Sequence, residues 1–152
     1  MSTDISHNNA QSGAPTVYSV QAQRTSAGDA CIQVGAHSIP IDAAWGATPS
    51  GLPGPAELLA AAFAACLLKN LARSEELLMF RYRRADVEVT AHRQDTPPMF
   101  TEISYSVRLE TDEPQRRIDL LHRNLRNYGT VYNTLAAVCN VHGTVEGEVA
   151  AP

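Results

Sequence analysis

Cysteine is the residue type in this sequence best suited to covalent chemistry, and Cys66 has the most unusual setting of the three cysteines. A cysteine thiolate attacks electrophiles, and its oxidation first gives a sulfenic acid that another thiol can trap as a disulfide. Cys66 lies near the end of an alanine-rich, almost unbroken apolar run, residues 58–68. Cys31 lies in a segment of alternating polarity and is predicted to be a core or sheet-face residue. The question is whether Cys66 is a reactive thiol or a small core residue.

Motifs for metal, phosphate and hydrolytic chemistry are weaker. Cys139 and His142 have the spacing of a metal-ligand pair, but a metal site needs three or four ligands and the sequence offers no second pair. It also offers no glycine-rich phosphate loop and no Ser-His-Asp order typical of a hydrolase. We therefore predict neither a metal nor a cofactor.

Length and charge indicate the class of protein. The 152 residues suffice for one domain, predicted over residues 15–152, with a core that needs no disulfides. The polar residues 1–14 are predicted to be a disordered tail. A net charge of −4 does not give the chain the overall positive charge typical of nucleic-acid-binding proteins. We interpret the local basic cluster, formed by Arg81, Arg83 and Arg84, as a solvated strand face or interface rim.

Cysteine usage and hydropathy indicate the compartment. An odd number of cysteines in a chain that needs no cross-links favours a reducing cytoplasm. The first residues lack the basic and apolar segments of a signal peptide, and no uninterrupted apolar run reaches the ~18 residues that span a bilayer. We therefore predict a cytoplasmic protein with neither nucleic acid nor membrane as a partner.

The element that must position Cys66 is a long helix, predicted over residues 55–79. Alanine and leucine are strong helix formers, and Pro55 suits the first turn, where its missing N–H would lack a partner. Glu57 then lies near the positive end of the helix dipole. Because polar residues are nearly absent before Lys69, the first half is predicted to be buried nearly all round.

Residue periodicity predicts the other elements. The predicted strands are residues 16–23, 30–36, 37–41, 82–90, 101–109 and part of 141–149, the last as an edge strand. Two further helices are predicted, one ending near residue 127 and one over residues 130–138. This order indicates an α+β domain of antiparallel β meanders with one central helix. The loop between the third strand and the long helix holds the only tryptophan, Trp45, which either anchors an interface or covers core.

Three stretches resemble the OsmC/Ohr family. The run GPAELLAAAFAACLL is similar to the family's cysteine helix, DTPPMFTEISYSV to the strand that follows its central helix, and TVYNTLAAV to its C-terminal motif. The resemblance covers about residues 17–149. It implies an OsmC-like fold in which β meanders wrap around the long helix. It also implies an obligate, intertwined homodimer with active sites at the dimer interface.

The resemblance further implies a site. In family members of known chemistry, a helix cysteine attacks organic hydroperoxides or hydrogen peroxide, and a second cysteine resolves the sulfenic acid as a disulfide. Cys66 matches the reactive cysteine. Gly129 occupies the position of the second cysteine, and the nearest substitute is Cys139, which is either a resolver or a small buried hydrophobic residue.

In those members an arginine and a glutamate hold the thiolate. Arg24, at the end of the first predicted strand, lies near the position of the family's arginine. The glutamate position of the hydroperoxide-reducing branches falls on Ala56, whereas Glu57 matches a neighbouring acidic position of other branches. Nine residues at ~100° each place Glu57 on the helix face opposite Cys66. Glu57 is therefore also expected to cap backbone or to meet another arginine.

Two functions follow from these residues. The first is a thiol-dependent peroxidase in oxidative-stress defence that reduces organic hydroperoxides or hydrogen peroxide through Cys66, with an external thiol or Cys139 completing the cycle. The second is a protein without peroxidase activity that binds a small hydrophobic ligand at the dimer interface, with Cys66 inert or redox-sensing.

Overall fold

The computed structural model describes residues 15–46 and 48–150, which divide into two units between Leu52 and Pro53. The predicted disordered tail, residues 1–14, lies outside the described residues, and the single domain over residues 15–152 stays a prediction. The α+β fold class with a long central helix is confirmed by the elements below.

The N-terminal unit contains a three-stranded antiparallel sheet in the order β1 (Gln21–Arg24), β2 (Ala30–Val34) and β3 (His37–Pro40). A turn joins the first two strands, where the Thr25 N–H donates to the Asp29 carbonyl. The first strand is shorter than the prediction over residues 16–23. Trp45 is 99% exposed, so within this unit it covers no core.

The second unit begins with the cysteine-bearing helix, α1 (Pro55–Leu77). One stripe of this helix is buried, formed by Phe63, Leu67, Leu71 and Ser74. The opposite face is exposed in the described chain although it is mostly alanine and leucine, so the expectation of burial all round is wrong for a single chain. Among the described residues, α1 is the one helix long and apolar enough to cross a membrane, a criterion that a core helix also meets.

The sheet of the second unit contains β4 (Arg84–Asp95), β5 (Pro98–Glu110) and β6 (Asn140–Glu148), with β5 in the centre. The first two strands form a long antiparallel hairpin that extends to the pair Asp95 and Pro98. This hairpin continues through the polar stretch that was predicted to separate two shorter strands. The edge strand β6 pairs parallel with β5, so the sheet is mixed and not a pure meander.

Two helices connect β5 to β6 and cover the sheet together with α1. The first is α2 (Gln115–Tyr128) and the second is α3 (Thr130–Ala136), with Gly129 alone between them. The apolar positions predicted for α2 are buried: Ile118, Leu121 and Leu125. They pack with the buried stripe of α1 and the inward-facing residues of β5 into one core.

The C-terminal end of α1 is capped by a left-handed residue and by hydrogen bonds from an arginine of α2. The helix ends at Leu77 with Leu78 as its C-cap, and the next residue, Met79, has a left-handed backbone with φ of 52°. The Arg117 guanidinium donates to the carbonyls of Leu78 at 2.8 Å and Met79 at 3.0 Å. The same guanidinium also forms an ion pair at 3.0 Å with Glu113, one turn earlier on the chain.

Candidate active site around Cys66

Cys66 lies on a flank of α1, between the buried stripe and the exposed face, and is half-buried. One turn later on the same flank, the Asn70 side-chain amide donates to the Cys66 carbonyl at 3.0 Å. The same amide nitrogen lies 3.6 Å from the Cys66 Sγ, within the range for a hydrogen bond to sulfur. A polar donor is therefore held beside the thiol. Sequence reasoning missed Asn70, although its spacing of four residues from Cys66 was a readable signal.

The turn between α2 and α3 packs against this flank at Gly129. A β-carbon built on Gly129 would lie 3.4 Å from the Cys66 Sγ. The same β-carbon would lie only 2.9 Å from both the Leu125 carbonyl oxygen and the Tyr132 Cβ. Because glycine has no side chain, the turn can approach the thiol closely. The position that the family resemblance assigned to a second cysteine thus lies directly beside Cys66.

Cys139 has different neighbours. It lies in the turn between α3 and β6, is half-buried, and its Sγ donates to the Phe100 carbonyl of β5 at 3.3 Å. Cys31, Cys66 and Cys139 are all free thiols. A role of Cys139 as resolver therefore requires a change from this arrangement, and it stays a prediction.

Glu57 is engaged at the start of α1. Its carboxylate accepts a hydrogen bond from the Gly54 N–H at 3.1 Å, which satisfies one of the unpaired donors at the helix N-terminus. This contact is the backbone cap that its position predicted. Nine residues of helix also place it opposite Cys66, so α1 does not bring this carboxylate to the thiol of the same chain.

The two arginines relevant to Cys66 differ in where they lie. Arg24 ends β1 in the N-terminal unit, where its guanidinium donates to the carbonyls of Ala43 at 3.3 Å and Thr25 at 3.4 Å. Its role toward the thiol stays a prediction. Arg73 lies seven residues after Cys66, hence two turns on along the same flank of α1. Its guanidinium stacks 4.3 Å from the centre of the Tyr128 ring, and Tyr128 directly precedes Gly129.

An aromatic cluster supports the helix turn that precedes Cys66. Phe63 of α1 lies 5.7 Å from Tyr105 of β5 and 5.8 Å from Tyr132 of α3, measured between ring centres. All three rings are at least nine-tenths buried. Tyr132 belongs to the TVYNTLAAV stretch, so this motif supplies a wall of the core next to the thiol.

The hydroxyl of Tyr105 is hydrogen-bonded to the His122 Nε2 at 2.7 Å. Burial raises the pKa of Tyr105 far above its usual value, with a smaller contribution from Tyr132. Burial likewise lowers the pKa of His122, and the nearby Arg126 guanidinium lowers it further. Both side chains are therefore neutral near pH 7.

Cys139 and His142, which have the spacing of a metal-ligand pair, contact different partners. His142 interacts with the Glu102 carboxylate at 3.1 Å, whereas Cys139 bonds to the Phe100 carbonyl. In residues 15–46 and 48–150, no group of three or more His, Cys, Asp or Glu residues is arranged to hold a metal ion.

Comparison with known proteins gives one family and many similar structures. Residues 48–142 match the family described as OsmC-like protein. An OsmC-like protein from Mycoplasma pneumoniae superposes with a TM-score of 0.80 at 18% identity, over 90% of this chain and 100% of that chain. No curated protein sequence gives a significant match.

Two similar structures are organic hydroperoxide resistance proteins. The one from Elizabethkingia anophelis gives a TM-score of 0.71 at 15% identity, over 89% of this chain and 100% of that chain. OhrB of Bacillus subtilis gives 0.60 at 15% identity, over 85% of this chain and 98% of that chain. At these identities the structural likeness establishes the fold.

Proposed function

Because the chain belongs to the OsmC-like protein family, we propose that it is a thiol-dependent peroxidase that reduces organic hydroperoxides, or hydrogen peroxide, through Cys66. One observation carries the proposal: the half-buried Cys66 thiol lies between a side-chain amide donor, Asn70, and the close turn at Gly129. Similar structures named as organic hydroperoxide resistance proteins support the choice of substrate.

The first half of the reaction needs one thiol, that of Cys66. Its thiolate attacks one oxygen of the hydroperoxide, the O–O bond breaks, and the departing oxygen takes a proton to leave as an alcohol. Sulfur is oxidised to the sulfenic acid, and the peroxide is reduced. The Asn70 amide can donate to the thiolate or to the sulfenate oxygen, as a neutral donor in place of a charged one.

The second half of the reaction needs another thiol, because glycine stands where the family's second cysteine is placed by resemblance. We propose an external thiol, supplied by a reducing cytoplasm, as the reductant. It attacks the sulfenic sulfur to give a mixed disulfide and water, and a second thiol then releases Cys66 as a thiol together with a disulfide product. Cys139 is the alternative resolver.

Two arginines are candidates for holding the thiolate. Arg24 is proposed from the family resemblance, and Arg73 from its place on the Cys66 flank. Arg24→Gln and Arg73→Gln separate them, since the variant that removes the stabilising cation should slow the alkylation of Cys66 by iodoacetamide at pH 7. An exposed arginine of α2, changed in Arg123→Gln, is the matched control.

The exposed apolar face of α1 supports the proposed homodimer. Leu68 is 45% exposed on this face, alongside the exposed Ala61, Ala65 and Ala72. We propose that a second copy of the chain covers it, as the family resemblance implies. Leu68→Glu should then shift the mass measured by light scattering toward one chain, whereas Glu76→Gln should not.

The proposed peroxidase activity is tested by stopped-flow mixing with an alkyl hydroperoxide, followed by mass spectrometry of the cysteines. Wild type and the Cys31→Ser variant should consume peroxide alike, and Cys66→Ser should consume none. A Cys66–Cys139 disulfide would identify an internal resolver, and a persistent sulfenic acid would identify an external one. If Cys66 remains a thiol in excess peroxide, the proposal is wrong.

The second candidate function is binding of a small hydrophobic ligand at the dimer interface, with Cys66 inert or redox-sensing. The structure favours it on one point: within the second unit, Glu57 caps the start of α1 and Cys139 bonds to the Phe100 carbonyl, so neither is engaged with the thiol. A protein that leaves peroxide intact but binds a fluorescent apolar probe only as a dimer would support this function.

A further inference from the structure

A small cavity lies between the α2–α3 pair and strands β5 and β6, with a volume of about 120 Å³. It is lined by Tyr105, His122, Arg126 and Tyr132, and on β6 by residues 141–143, which include His142 in its contact with Glu102. Two of these polar side chains, Tyr105 and Tyr132, are more than nine-tenths buried. The proposed peroxidase chemistry gives these side chains no role.

The floor of the cavity is fixed by the pairing of two strands. Tyr105 on β5 is opposite Gly143 on the parallel strand β6. A β-carbon on Gly143 would lie 2.5 Å from the Tyr105 ring and 2.2 Å from its carbonyl oxygen, so the ring can lie over the strand only because this residue is glycine. The hydrogen bond to His122 then holds the Tyr105 hydroxyl in place.

The permanently charged side chain in the lining of the cavity is Arg126, a cation. Tyr105 and His122 are neutral near pH 7, for the reasons given above. Arg126 is exposed at the mouth of the cavity, and within residues 15–46 and 48–150 it makes no ion pair and no side-chain hydrogen bond. The positive charge of Arg126 acts to lower the pKa of both His122 and Tyr105. The lining therefore offers one uncommitted guanidinium beside neutral hydroxyl and imidazole groups.

We propose that this cavity binds a small carboxylate-type oxyanion, such as formate, acetate or bicarbonate. A planar guanidinium matches two oxygens of such an anion, and the neighbouring hydroxyl and imidazole groups can take part in further hydrogen bonds. A volume of about 120 Å³ is smaller than the ~150 Å³ of an engineered cavity that holds benzene, so a ligand enclosed here has only a few non-hydrogen atoms. Benzoate is too large for this space.

The test is a thermal-shift titration of the full chain at pH 7.5 with formate, acetate, benzoate and chloride at matched ionic strength. A ligand that binds only the folded protein raises Tm in a saturable manner. We expect formate and acetate to do so, and benzoate to behave like chloride. Arg126→Gln should weaken the apparent affinity about tenfold or more, and Arg123→Gln, which alters an exposed arginine of the same helix, should leave it unchanged.

Saturation-transfer NMR of the formate proton provides a second readout that does not depend on stability. Tyr105→Phe, which removes one hydroxyl, should weaken this signal even if the variant is less stable. Three outcomes would overturn the proposal. The four anions could shift Tm equally, or formate could show no saturable binding up to 50 mM. The third is full retention of formate binding in Arg126→Gln. None of these results depends on whether Cys66 reduces peroxide.

Discussion

Gly129 and Cys66 are neighbours across two helices: a β-carbon on Gly129 would lie 3.4 Å from the Cys66 Sγ. This proximity places the turn between α2 and α3 directly beside the thiol. It also means that one residue determines whether Cys66 has an internal disulfide partner. In this chain that residue carries no side chain.

A cysteine at position 129 should therefore form a disulfide with Cys66. Its sulfur, one bond from the β-carbon, could reach the ~2.0 Å sulfur–sulfur distance with a small local shift. We expect Gly129→Cys, in a Cys31→Ser and Cys139→Ser background, to lose two hydrogen atoms on mild oxidation, the added oxidant taking up the two electrons. Peptide mapping by mass spectrometry measures this change, and two alkylatable thiols after oxidation would contradict it.

The same substitution should cost stability while the protein is reduced. The new β-carbon would lie 2.9 Å from the Leu125 carbonyl oxygen and from the Tyr132 Cβ, so the turn must move. We expect the free energy of unfolding to fall by ~1–3 kcal/mol. Gly129→Ser introduces the same crowding without a thiol and should show a similar loss in urea unfolding, but no disulfide.

Replacing Met79 by glycine should stabilise the folded protein. Its left-handed φ of 52° costs an L-residue ~1–2 kcal/mol, which exceeds the entropy that glycine adds to the unfolded chain. Because its side chain is 61% exposed, little packing is lost. We expect Met79→Gly to raise the free energy of unfolding by ~0.5–1 kcal/mol in urea titrations.

Leu77→Gly is the matched control for Met79. Leu77 has a similar exposure of 60%, but it is the last residue of α1. Glycine there should lower the free energy of unfolding by ~1 kcal/mol. If both substitutions change stability in the same direction, the left-handed geometry of Met79 does not explain its effect.

Arg117 should stabilise the second unit through the end of α1. It donates to two carbonyls that have no partner within the helix, and it pairs with Glu113. We expect Arg117→Met to lower the free energy of unfolding by ~1–3 kcal/mol, measured by chemical denaturation. Arg116→Met, at the exposed neighbouring position, should stay within ~0.5 kcal/mol of wild type.

His122 should make stability depend on pH. Its pKa in the folded protein is lowered from 6.5, first by burial and then by Arg126, while Asp119 opposes the shift. The unfolded chain therefore binds a proton more readily, so the contribution of His122 is present above pH ~6.5 and is lost as pH falls through the folded pKa. His122→Gln removes this dependence.

The measurement is urea unfolding of wild type and His122→Gln between pH 5 and 8. The difference in free energy of unfolding should be largest near pH 8 and should narrow toward pH 5. His37→Gln, which alters an exposed histidine of the N-terminal unit, controls for loss of an imidazole as such. If the difference in free energy of unfolding between wild type and His122→Gln stays constant across this range, His122 has the same pKa in the folded and unfolded chains.

The elements with strong periodicity could be predicted from the sequence. The long helix and the apolar positions of α2 agree with the structure because 3.6-residue spacing and buried leucines have few alternatives. The hairpin end at Asp95 and Pro98 was missed, since a solvent-exposed ladder needs no alternation of polarity. The parallel pairing of β6 follows from the two-helix connection, which periodicity within a strand does not reveal.

The surroundings of Cys66 were less predictable. Glu57 could be assigned to the helix start because both the cap and the angular offset are properties of one helix. Asn70 and Arg73 were readable from their helical spacing but carry no motif. The approach of Gly129 depends on how two helices pack, which only family resemblance suggested. The exposure of one α1 face could not be predicted, because an apolar composition does not show which faces of a helix pack against the rest of the chain.

The parallel pairing of β6 has a consequence for the order of folding. The β4–β5 hairpin closes a short loop, whereas β6 must wait until α2 and α3 have bridged from Glu110 to Asn140. The turn at Gly129 lies inside that bridge, so the neighbourhood of Cys66 is completed only when α2 and α3 pack against α1. Pulse-labelled hydrogen exchange should show protection in β4 and β5 before β6. A chain still being synthesised would then carry Cys66 as an ordinary exposed thiol.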